Sequence, residues 1–268
     1  LYCVQSSVYI PLQDIHPEAT NTVYPINKFI MKILIALDCL SIRRASHIIT
    51  LTTEMAYEIK RRANPKVTIS ILENPSASAG HIVTKDDPTD GFAFCGNAGR
   101  LQRIPLLIKA IDNYLSKNGR LSFIFVGAGI HSHLLETMAA KHETFKYLGF
   151  RDSEQAMKIC SQYSWALLPI EDEVTRFAFP SKSSTYLMSN SNILAICGKG
   201  TSVAKWVLSN RLGLIVEPQA DQIVETFFKI ERMRGRRVRK NTITSETKKY
   251  YSINTFSNNL FEFLNNKI

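Results

Sequence analysis

Two short stretches of the sequence carry the residue types that bind phosphate groups. The first is FAFCGNAGRLQ at 92–102, in which Gly96, Asn97, Gly99 and Arg100 follow an apolar segment and precede a helical pattern. Glycines let backbone N–H groups approach an anion closely, and an arginine guanidinium makes two parallel hydrogen bonds to a phosphate. The stretch matches neither a complete dinucleotide fingerprint nor a P-loop. A structural strand–turn–helix connection is therefore the alternative interpretation.

The second stretch is FPSKSSTYL at 179–187, which follows the apolar segment LLPI and an acidic loop. Pro180 and Ser181 are typical of a first helical turn, and Lys182 would add a positive charge beside the helix N-terminus. A single lysine in such a place usually lies in solvent. Because both stretches follow strands of one predicted sheet, an anion site explains the pair better.

Three ionisable residues gather in QDIHPEA at 13–19. Asp14, His16 and Glu18 come just beyond a predicted strand, and Pro17 disfavours helix in the residue before it. Titratable groups collected in a cleft are candidates for catalysis or for binding hydroxyl groups. The alternative is that they are polar loop residues and a helix cap.

Strand and helix patterns alternate regularly from residue 92 onwards. The predicted strands are at 92–96, 121–127, 145–149, 165–169, 192–197 and 212–216. Continuously apolar strands separated by helices are typical of a doubly wound parallel sheet. Ligands bind beyond the carboxyl ends of such strands, which is where Gly96, Gly127, Gly129 and Gly149 fall.

The composition from 76 to 91 is rich in Ser, Ala, Gly, Pro and Asp and lacks periodicity, which predicts a linker. We therefore expect one α/β domain over 1–75 and a second over 92–240. A helix over 241–268, capped by Asn254 or Thr255, should pack back on the domains. Since the sequence opens with Leu1 in a strand pattern, we expect the first domain to be incomplete.

The net charge of +10 favours anionic partners. The basic segment 229–240 predicts either a solvated helix end or contact with anionic lipid or polyphosphate. Its central arginines are Arg234, Arg236, Arg237 and Arg239. Aromatic residues are not interleaved there, which argues against nucleic acid. The five cysteines are scattered without a metal-binding spacing, which indicates reduced thiols in a cytoplasmic protein. No apolar run is long enough to span a membrane.

Several motifs, taken together and in order, resemble a known enzyme family. They are QDIHPEA, ASHIITLTTEM, ISILENP, FCGNAGRLQ, FIFVGAG, YLGF, FPSKSSTYL and NILAI. This order resembles the retaining, nucleotide-sugar-dependent glycosyltransferases of family 4, which have the two-domain GT-B fold of Rossmann-like doubly wound sheets. The nearest in kind are bacterial enzymes that add sugars to O-antigen or capsule repeat units. The resemblance covers nearly the whole chain, although about half of the usual first domain is missing.

The resemblance implies a role for each motif. The loop from Gly96 to Arg100 would hold the donor diphosphate, with a second cation at Arg103 or Lys182. The Gly127–Gly129 loop would line the donor pocket, and Phe150 would approach the nucleotide base. The implied donor-binding residues are Gly96, Asn97, Gly99, Arg100, Gln102, Arg103, Gly127, Gly129, Phe150, Pro180, Ser181, Lys182 and Thr185. Asp14, His16 and Glu18 would be the catalytic residues.

The sequence departs from the family at several positions, among them Gln102 and Arg103, where the family often has Lys and Gly. The two glutamates that the family places eight residues apart would fall at Phe177 and Thr185, and a common histidine would fall at Gln13. No D-x-D motif occurs in a matching context, so we expect no metal and no cofactor besides the nucleotide-sugar donor. The acceptor would be a glycan or lipid-linked glycan, and the protein would lie at the inner face of the cell membrane.

Two other functions remain open at this point. One is a GT-B epimerase or phosphorylase-like enzyme that acts on soluble sugars. The other is a non-catalytic nucleotide-sugar-binding module that has lost the family glutamates.

Overall fold

The computed structural model describes residues 8–64, 66–76, 88–233 and 245–265. Within them lie two separate sheets, both entirely parallel. The part built on the first sheet is called the first unit, and the part built on the second sheet is called the second unit. The doubly wound α/β class expected from the sequence is confirmed.

The first unit has a three-stranded sheet in the order β1-β2-β3. Its strands are β1 (Tyr9–Leu12), β2 (His47–Thr50) and β3 (Thr68–Ile71). Its helices are α1 (Glu18–Val23), α2 (Lys28–Arg43) and α3 (Thr53–Lys60). Of the two threonines that could begin α3, Thr52 is the cap, because its hydroxyl accepts a hydrogen bond from the Met55 N–H at 3.2 Å.

The second unit has a six-stranded sheet in the order β6-β5-β4-β7-β8-β9. The strands are β4 (Thr89–Cys95), β5 (Ser122–Val126), β6 (Phe145–Tyr147), β7 (Tyr163–Pro169), β8 (Asn192–Ile196) and β9 (Gly213–Val216). The helices are α4 (Ile104–Ser116), α5 (Ser132–Lys141), α6 (Ser153–Cys160), α7 (Lys182–Met188), α8 (Ser202–Ser209) and α9 (Ala220–Arg232). The strand order reverses between β4 and β7, and a doubly wound sheet opens its binding crevice at such a point.

Buried aromatic side chains hold α4 and α9 against the second sheet. The Phe92 ring lies 5.4 Å from that of Phe123 and 4.9 Å from that of Phe227, with all three fully buried. The Tyr114 hydroxyl, also buried, donates to Glu231 at 2.7 Å. Rings of this size bury much apolar surface, so this cluster fixes the sheet whose strand ends carry the candidate site.

Two C-terminal helices, α10 (Ser245–Tyr250) and α11 (Ile253–Asn265), are joined by a short connection that contacts both units. The Tyr251 hydroxyl is hydrogen-bonded to Trp206 of α8 at 2.9 Å and to Glu73 of the first unit. The cap of α11 differs from the expectation of Asn254 or Thr255. The hydroxyl of Ser252 accepts from the Thr255 N–H at 3.2 Å, because the helix begins at Ile253, two or three residues earlier than those caps predict. Within the described part of the chain, no helix is long and apolar enough to cross a membrane.

The predicted linker and the predicted basic segment are described only in part. Strand β4 begins at Thr89, inside the predicted linker, because Thr89 and Gly91 already pair with the neighbouring strands. Most of that linker, 77–87, lies outside the described residues, and so do Arg234, Arg236, Arg237 and Arg239. The domain boundaries and the role of the basic segment stay predictions.

Candidate functional site

The carboxyl ends of the two sheets face each other across a cleft. The segment after β1 forms an antiparallel bridge between Asp14 and Ala178, and the Ile15 N–H donates to the Phe177 carbonyl at 2.7 Å. On the other side of the cleft, the Ser184 hydroxyl of α7 donates to the Pro75 carbonyl at 3.0 Å. These contacts bring the strand ends of both units close to the β4–β7 switch point.

Two cavities lie in this cleft. The inner cavity, of about 270 Å³, is enclosed mainly by the second unit. It is lined by residues that include Gly96, Asn97, Gln102, Ile170, Phe179, Pro180, Ser181, Lys182 and Tyr186. The junction cavity, of about 220 Å³, is shared between the units and lined by Gln13, Asn74, Pro75, Cys95, Ser153, Ala156, Ser181, Lys182 and Thr185. The two cavities share Cys95, Ser181 and Lys182.

Lys182 is the one residue with a formal charge among the described residues that line the two cavities. It is the first residue of α7 and is half-buried, and no carboxylate of the described part of the chain pairs with it. An ammonium group held at a cavity wall without a counter-ion attracts an anion. The structure therefore places an available positive charge where both cavities meet.

The loop from Gly96 to Gly99 is fixed by the neighbouring strand connection. The Gly96 N–H donates to the Val126 carbonyl at 2.9 Å, and the Ala98 N–H donates to the Ala128 carbonyl at 3.1 Å. A Cβ atom at Gly127 would overlap the Gly96 carbonyl oxygen, and Gly127 also has φ of +128°. This glycine is thus needed for close backbone packing behind the loop.

Gly129 has a similar supporting position. A Cβ atom there would collide with the Asn97 side chain and the Ala98 backbone. Neither Gly127 nor Gly129 lines the two cavities, so the structure places both behind the loop instead of in the expected pocket wall. Within the described residues, the N–H group of Asn97, which lines the inner cavity, has no acceptor and remains available to a ligand.

Arg100, which the resemblance implies as a residue that holds the donor diphosphate, lies outside both cavities. Its guanidinium donates to the Val23 carbonyl at 3.3 Å and stacks over the Tyr24 ring at 5.4 Å. The corner between α1 and α2 therefore holds this side chain. A phosphate role for Arg100 would require it to leave these contacts.

Arg103 is also engaged, in contacts that brace the inner cavity. Its Nε donates to the Ile170 carbonyl at 2.7 Å, and its Nη2 lies 2.9 Å from Glu171 and 3.0 Å from Asp172. Asp172 in turn accepts the Gly198 N–H at 3.0 Å. Burial raises the pKa of Glu171 despite the adjacent Arg103. These contacts make Arg103 a support for the wall at Ile170, so Lys182 is the better placed of the two suggested second cations.

The three candidate catalytic residues do not converge. Asp14 and His16 are exposed, and the His16 Nδ1 is hydrogen-bonded to the Thr20 hydroxyl at 2.8 Å. The Glu18 carboxylate pairs with Arg62, which also binds Asp38 at 3.1 Å. None of the three lines the two cavities. Their catalytic assignment stays a prediction, and the geometry gives Glu18 a structural partner.

The remaining donor candidates divide into two groups. Gln102, Pro180 and Ser181 line the inner cavity, and Thr185 lines the junction cavity. Phe150 is 77% exposed and stands apart from both. Sequence reasoning did not select Asn74 or Ser153, which line the junction cavity. Asn74 follows the carboxyl end of β3. Because ligands bind beyond the carboxyl ends of parallel strands, this position could have indicated Asn74 from the sequence.

Groups of three His, Cys, Asp or Glu side chains that could hold a metal ion do not occur in residues 8–64, 66–76, 88–233 or 245–265. The two cavities present one cation, the free Asn97 N–H group and neutral polar side chains.

The sequence and the fold were compared with known proteins. No protein-family model matches the chain. Over 127 residues, which are 46% of this chain and 30% of the relative, the sequence is 29% identical to a probable glycosyltransferase, WbjE, of Pseudomonas aeruginosa.

Solved structures share the fold at low sequence identity. TarM of S. aureus matches with a TM-score of 0.67 and 16% identity, over 97% of this chain and 50% of TarM. The pneumococcal O-GlcNAc transferase GtfA, solved with UDP and GlcNAc, matches with a TM-score of 0.61 and 15% identity, over 96% and 52%. A trehalose-6-phosphate synthase matches with a TM-score of 0.66 and 13% identity, over 97% and 68%.

The chain thus spans about half the length of TarM and GtfA. It has the GT-B fold of these proteins, and over nearly half of its length it is homologous to a probable glycosyltransferase.

Proposed function

We propose that the protein is a retaining glycosyltransferase that moves a sugar from a nucleoside-diphosphate donor to a glycan or lipid-linked glycan in cell-surface polysaccharide synthesis. The observation that carries this proposal is the unpaired Lys182 at the meeting point of the two cavities. The homology to WbjE and the UDP-bound structure of the similar protein GtfA support it. We place the reaction on the cytoplasmic side of the membrane.

The chemistry of sugar transfer suits this arrangement. Cleavage of the sugar–phosphate bond passes through an oxocarbenium-like state while negative charge grows on the departing diphosphate. Lys182 and the free N–H group of Asn97 are donors for that charge. Because these donors belong to the protein, the proposed reaction is independent of a metal ion.

The two cavities suit different parts of such a donor. Amide and hydroxyl side chains from both units line the junction cavity, namely Gln13, Asn74, Ser153 and Thr185. Such groups form hydrogen bonds with ribose or sugar hydroxyls. The inner cavity is lined by Asn97, Gln102 and apolar side chains. It would hold the part of the donor that does not bind in the junction cavity.

Nucleotide binding to a Lys182→Ala variant tests the proposal. Hydrogen bonds to charged groups contribute roughly 1.5–3 kcal/mol, so we expect UDP or another nucleoside diphosphate to bind about ten- to hundredfold more weakly by calorimetry. Lys109→Ala is the matched control, because Lys109 is exposed on α4, away from both cavities. Equal affinity of the Lys182→Ala variant and the parent for every nucleoside diphosphate would contradict the proposal.

A non-catalytic nucleotide-sugar-binding module is the second candidate. It is favoured by the neutral Gln13 and Thr185 at the cleft and by the engagement of Glu18 with Arg62. Nucleotide release in the presence of a membrane extract separates the two functions. A transferase releases its nucleoside diphosphate in proportion to sugar transferred, whereas the module binds the donor and releases none.

A further inference from the structure

The sheet of the second unit opens between β4 and β7 before the two strands end. Strand β4 stays paired with β5 as far as Cys95, but its pairing with β7 ends at Ala93, opposite Ala166. Strand β7 continues to Pro169, paired with β8. The last residues of β4 and β7 therefore separate, and they line the inner cavity. Because an unpaired buried backbone group is costly, the end of β4 needs another hydrogen-bonding partner.

The hydroxyl of Tyr186, on α7, is that partner. It accepts the Cys95 N–H at 2.9 Å and donates to the Cys95 carbonyl at 3.1 Å. One hydroxyl can do both, because it has one proton to donate and two lone pairs that accept. Tyr186 is 1% exposed, and burial raises the pKa of its hydroxyl, which therefore stays protonated at neutral pH. Tyr186 thus takes the place of a neighbouring strand beside the last residue of β4.

This contact joins the two groups that the proposed diphosphate site uses. Gly96 and Asn97 follow Cys95 directly, and the Asn97 N–H is free. Lys182 lies four residues before Tyr186 on α7, so the two side chains lie on the same side of the helix. Both Asn97 and Lys182 line the inner cavity. A shift of α7 against the end of β4 would therefore change the spacing between the Asn97 N–H and Lys182.

Within the described residues, Tyr186 is the one residue of α7 that is hydrogen-bonded to the stretch 92–102. The Ser184 hydroxyl of α7 instead donates to the Pro75 carbonyl of the first unit, at 3.0 Å. The Tyr186 ring and Leu187 also pack in the hydrophobic core. Apolar packing is non-directional, whereas a hydrogen bond prefers a defined distance and angle. The hydroxyl therefore fixes how α7 lies against the loop.

We infer that Tyr186 is a positioning residue for the anionic part of the donor. Its hydroxyl holds α7 against the end of β4, so that Lys182 and the Asn97 N–H bind one diphosphate together. Tyr186 acts through Cys95, because its single hydroxyl proton is already donated to the Cys95 carbonyl. Donors that are ordered beforehand bind more tightly, because less freedom is lost on binding. The inference rests on the proposed function for the identity of the anion.

A Tyr186→Phe variant tests the inference, because it removes the hydroxyl and keeps the ring. UDP, GDP, ADP and dTDP are each titrated into the parent by calorimetry, and the tightest of them is the probe. We expect Tyr186→Phe to bind this probe about tenfold more weakly. Parental affinity in Tyr186→Phe would overturn the inference.

Tyr114→Phe is the matched control. The Tyr114 hydroxyl is also buried, accepts the Leu121 N–H at 3.1 Å and donates to Glu231 at 2.7 Å. Tyr114 lines neither of the two cavities. Each variant thus loses one accepted and one donated hydrogen bond of the second unit, and each should lower the urea midpoint. Tyr114→Phe should nevertheless bind the probe as the parent does, so a general loss of stability does not explain weaker binding in Tyr186→Phe.

A double-mutant cycle shows whether Tyr186 acts on the spacing to Lys182. Once Lys182 is replaced by alanine, this spacing no longer matters, so Tyr186→Phe should weaken binding less in the Lys182→Ala chain than in the parent. Equal fold-changes in the two backgrounds would overturn the inference.

Hydrogen exchange of the ligand-free chain gives a readout that does not depend on the proposed function. In Tyr186→Phe, the amides of 92–102 and 179–188 should exchange faster than in the parent, and in Tyr114→Phe they should not. Unchanged exchange in Tyr186→Phe would overturn the inference. Weaker probe binding in Lys182→Ala but not in Tyr186→Phe would overturn the inference and leave the proposed function standing, whereas unchanged binding in Lys182→Ala would overturn both.

Discussion

The two units meet the cleft in different ways. The second unit presents loops that follow directly from strand ends and are fixed by backbone hydrogen bonds, such as those from Gly96 to Val126 and from Ala98 to Ala128. The first unit presents ionisable side chains, and its half-buried carboxylate at Glu18 is turned toward Arg62. Strand ends determine the position of a backbone loop, whereas long side chains turn to the nearest opposite charge.

This difference affects which side of the cleft can do chemistry in the described structure. On the second unit, Lys182 keeps its charge free and faces both cavities. On the first unit, neutral Gln13 and Asn74 reach the junction cavity, while Asp14 is held in its bridge to Ala178. The second unit thus supplies the anion-binding groups, and the first unit supplies hydrogen-bonding groups that close over them.

Replacing Glu18 should have the largest effect on stability. It tests directly whether the ionisable side chains of the first unit are structural. Glu18 and Arg62 have side chains that are 14% and 11% exposed, so their ion pair is largely shielded from water. Its loss in a Glu18→Gln variant should cost about 2 kcal/mol of unfolding free energy, between the values for exposed and buried pairs. Urea denaturation measures this loss, and nucleotide affinity should stay unchanged.

The control for Glu18 is Glu136→Gln, because Glu136 is exposed on α5 and forms no ion pair among the described residues. A Glu18→Gln variant with parental stability and no transfer activity would instead support the catalytic assignment from the sequence. That outcome would show that the pairing with Arg62 is not the role of Glu18.

Replacing Glu231 should have a smaller effect on stability, and this effect should depend on pH. It tests how far side-chain hydrogen bonds, besides the backbone ones, stabilise the second unit. Burial alone would raise the pKa of Glu231, but hydrogen bonds from Tyr114 and Arg120 lower it below its ordinary value. A carboxylate whose folded pKa is lowered adds stability above its unfolded pKa and loses it as pH falls through the folded pKa. We therefore expect Glu231→Gln to cost about 1 kcal/mol at neutral pH.

The cost of Glu231→Gln should shrink under acidic conditions, where the parent also becomes protonated. Denaturation curves from pH 7 to below the ordinary carboxyl pKa of about 4.3 measure this change. Glu225→Gln is the matched control, since Glu225 is exposed on the same helix α9. A cost that stays constant across this range would show that the Glu231 charge adds no stability.

The sequence predicted the elements better than the side-chain partners. Continuous apolar runs such as LLP located the strands, because parallel strands are buried on both faces. The start of β4 was missed by a few residues, since Thr89 and Gly91 pair with the neighbouring strands without an apolar pattern.

The candidate site was predicted in its backbone positions and less well in its cations. Gly96, Ser181 and Lys182 do line the inner cavity at the strand ends, as their places after β4 and β7 indicated. The partners of Arg103 lie 68 and 69 positions away, at Glu171 and Asp172, and no local pattern indicates such a pairing. Asn74 reaches the junction cavity through contacts between the units, which are equally invisible in a single sequence.

Arg100 gives the smallest expected effect and separates the sequence prediction from the structure. The sequence predicts a bidentate diphosphate contact, whose loss would weaken nucleotide binding about ten- to hundredfold. In the structure its guanidinium instead binds the Val23 carbonyl and the Tyr24 ring. An exposed cation–π contact contributes about 0.5–1 kcal/mol, so Arg100→Ala should reduce stability by that amount and change nucleotide affinity less than about threefold.

A Tyr24→Leu variant should cost about as much, and the two losses should be less than additive because they remove one contact. Arg100→Ala could instead weaken nucleoside-diphosphate binding at least tenfold while Tyr24→Leu leaves it unchanged. Arg100 would then give up its contacts with Val23 and Tyr24 to bind the donor, and the diphosphate would be held by groups from both 92–102 and 179–187.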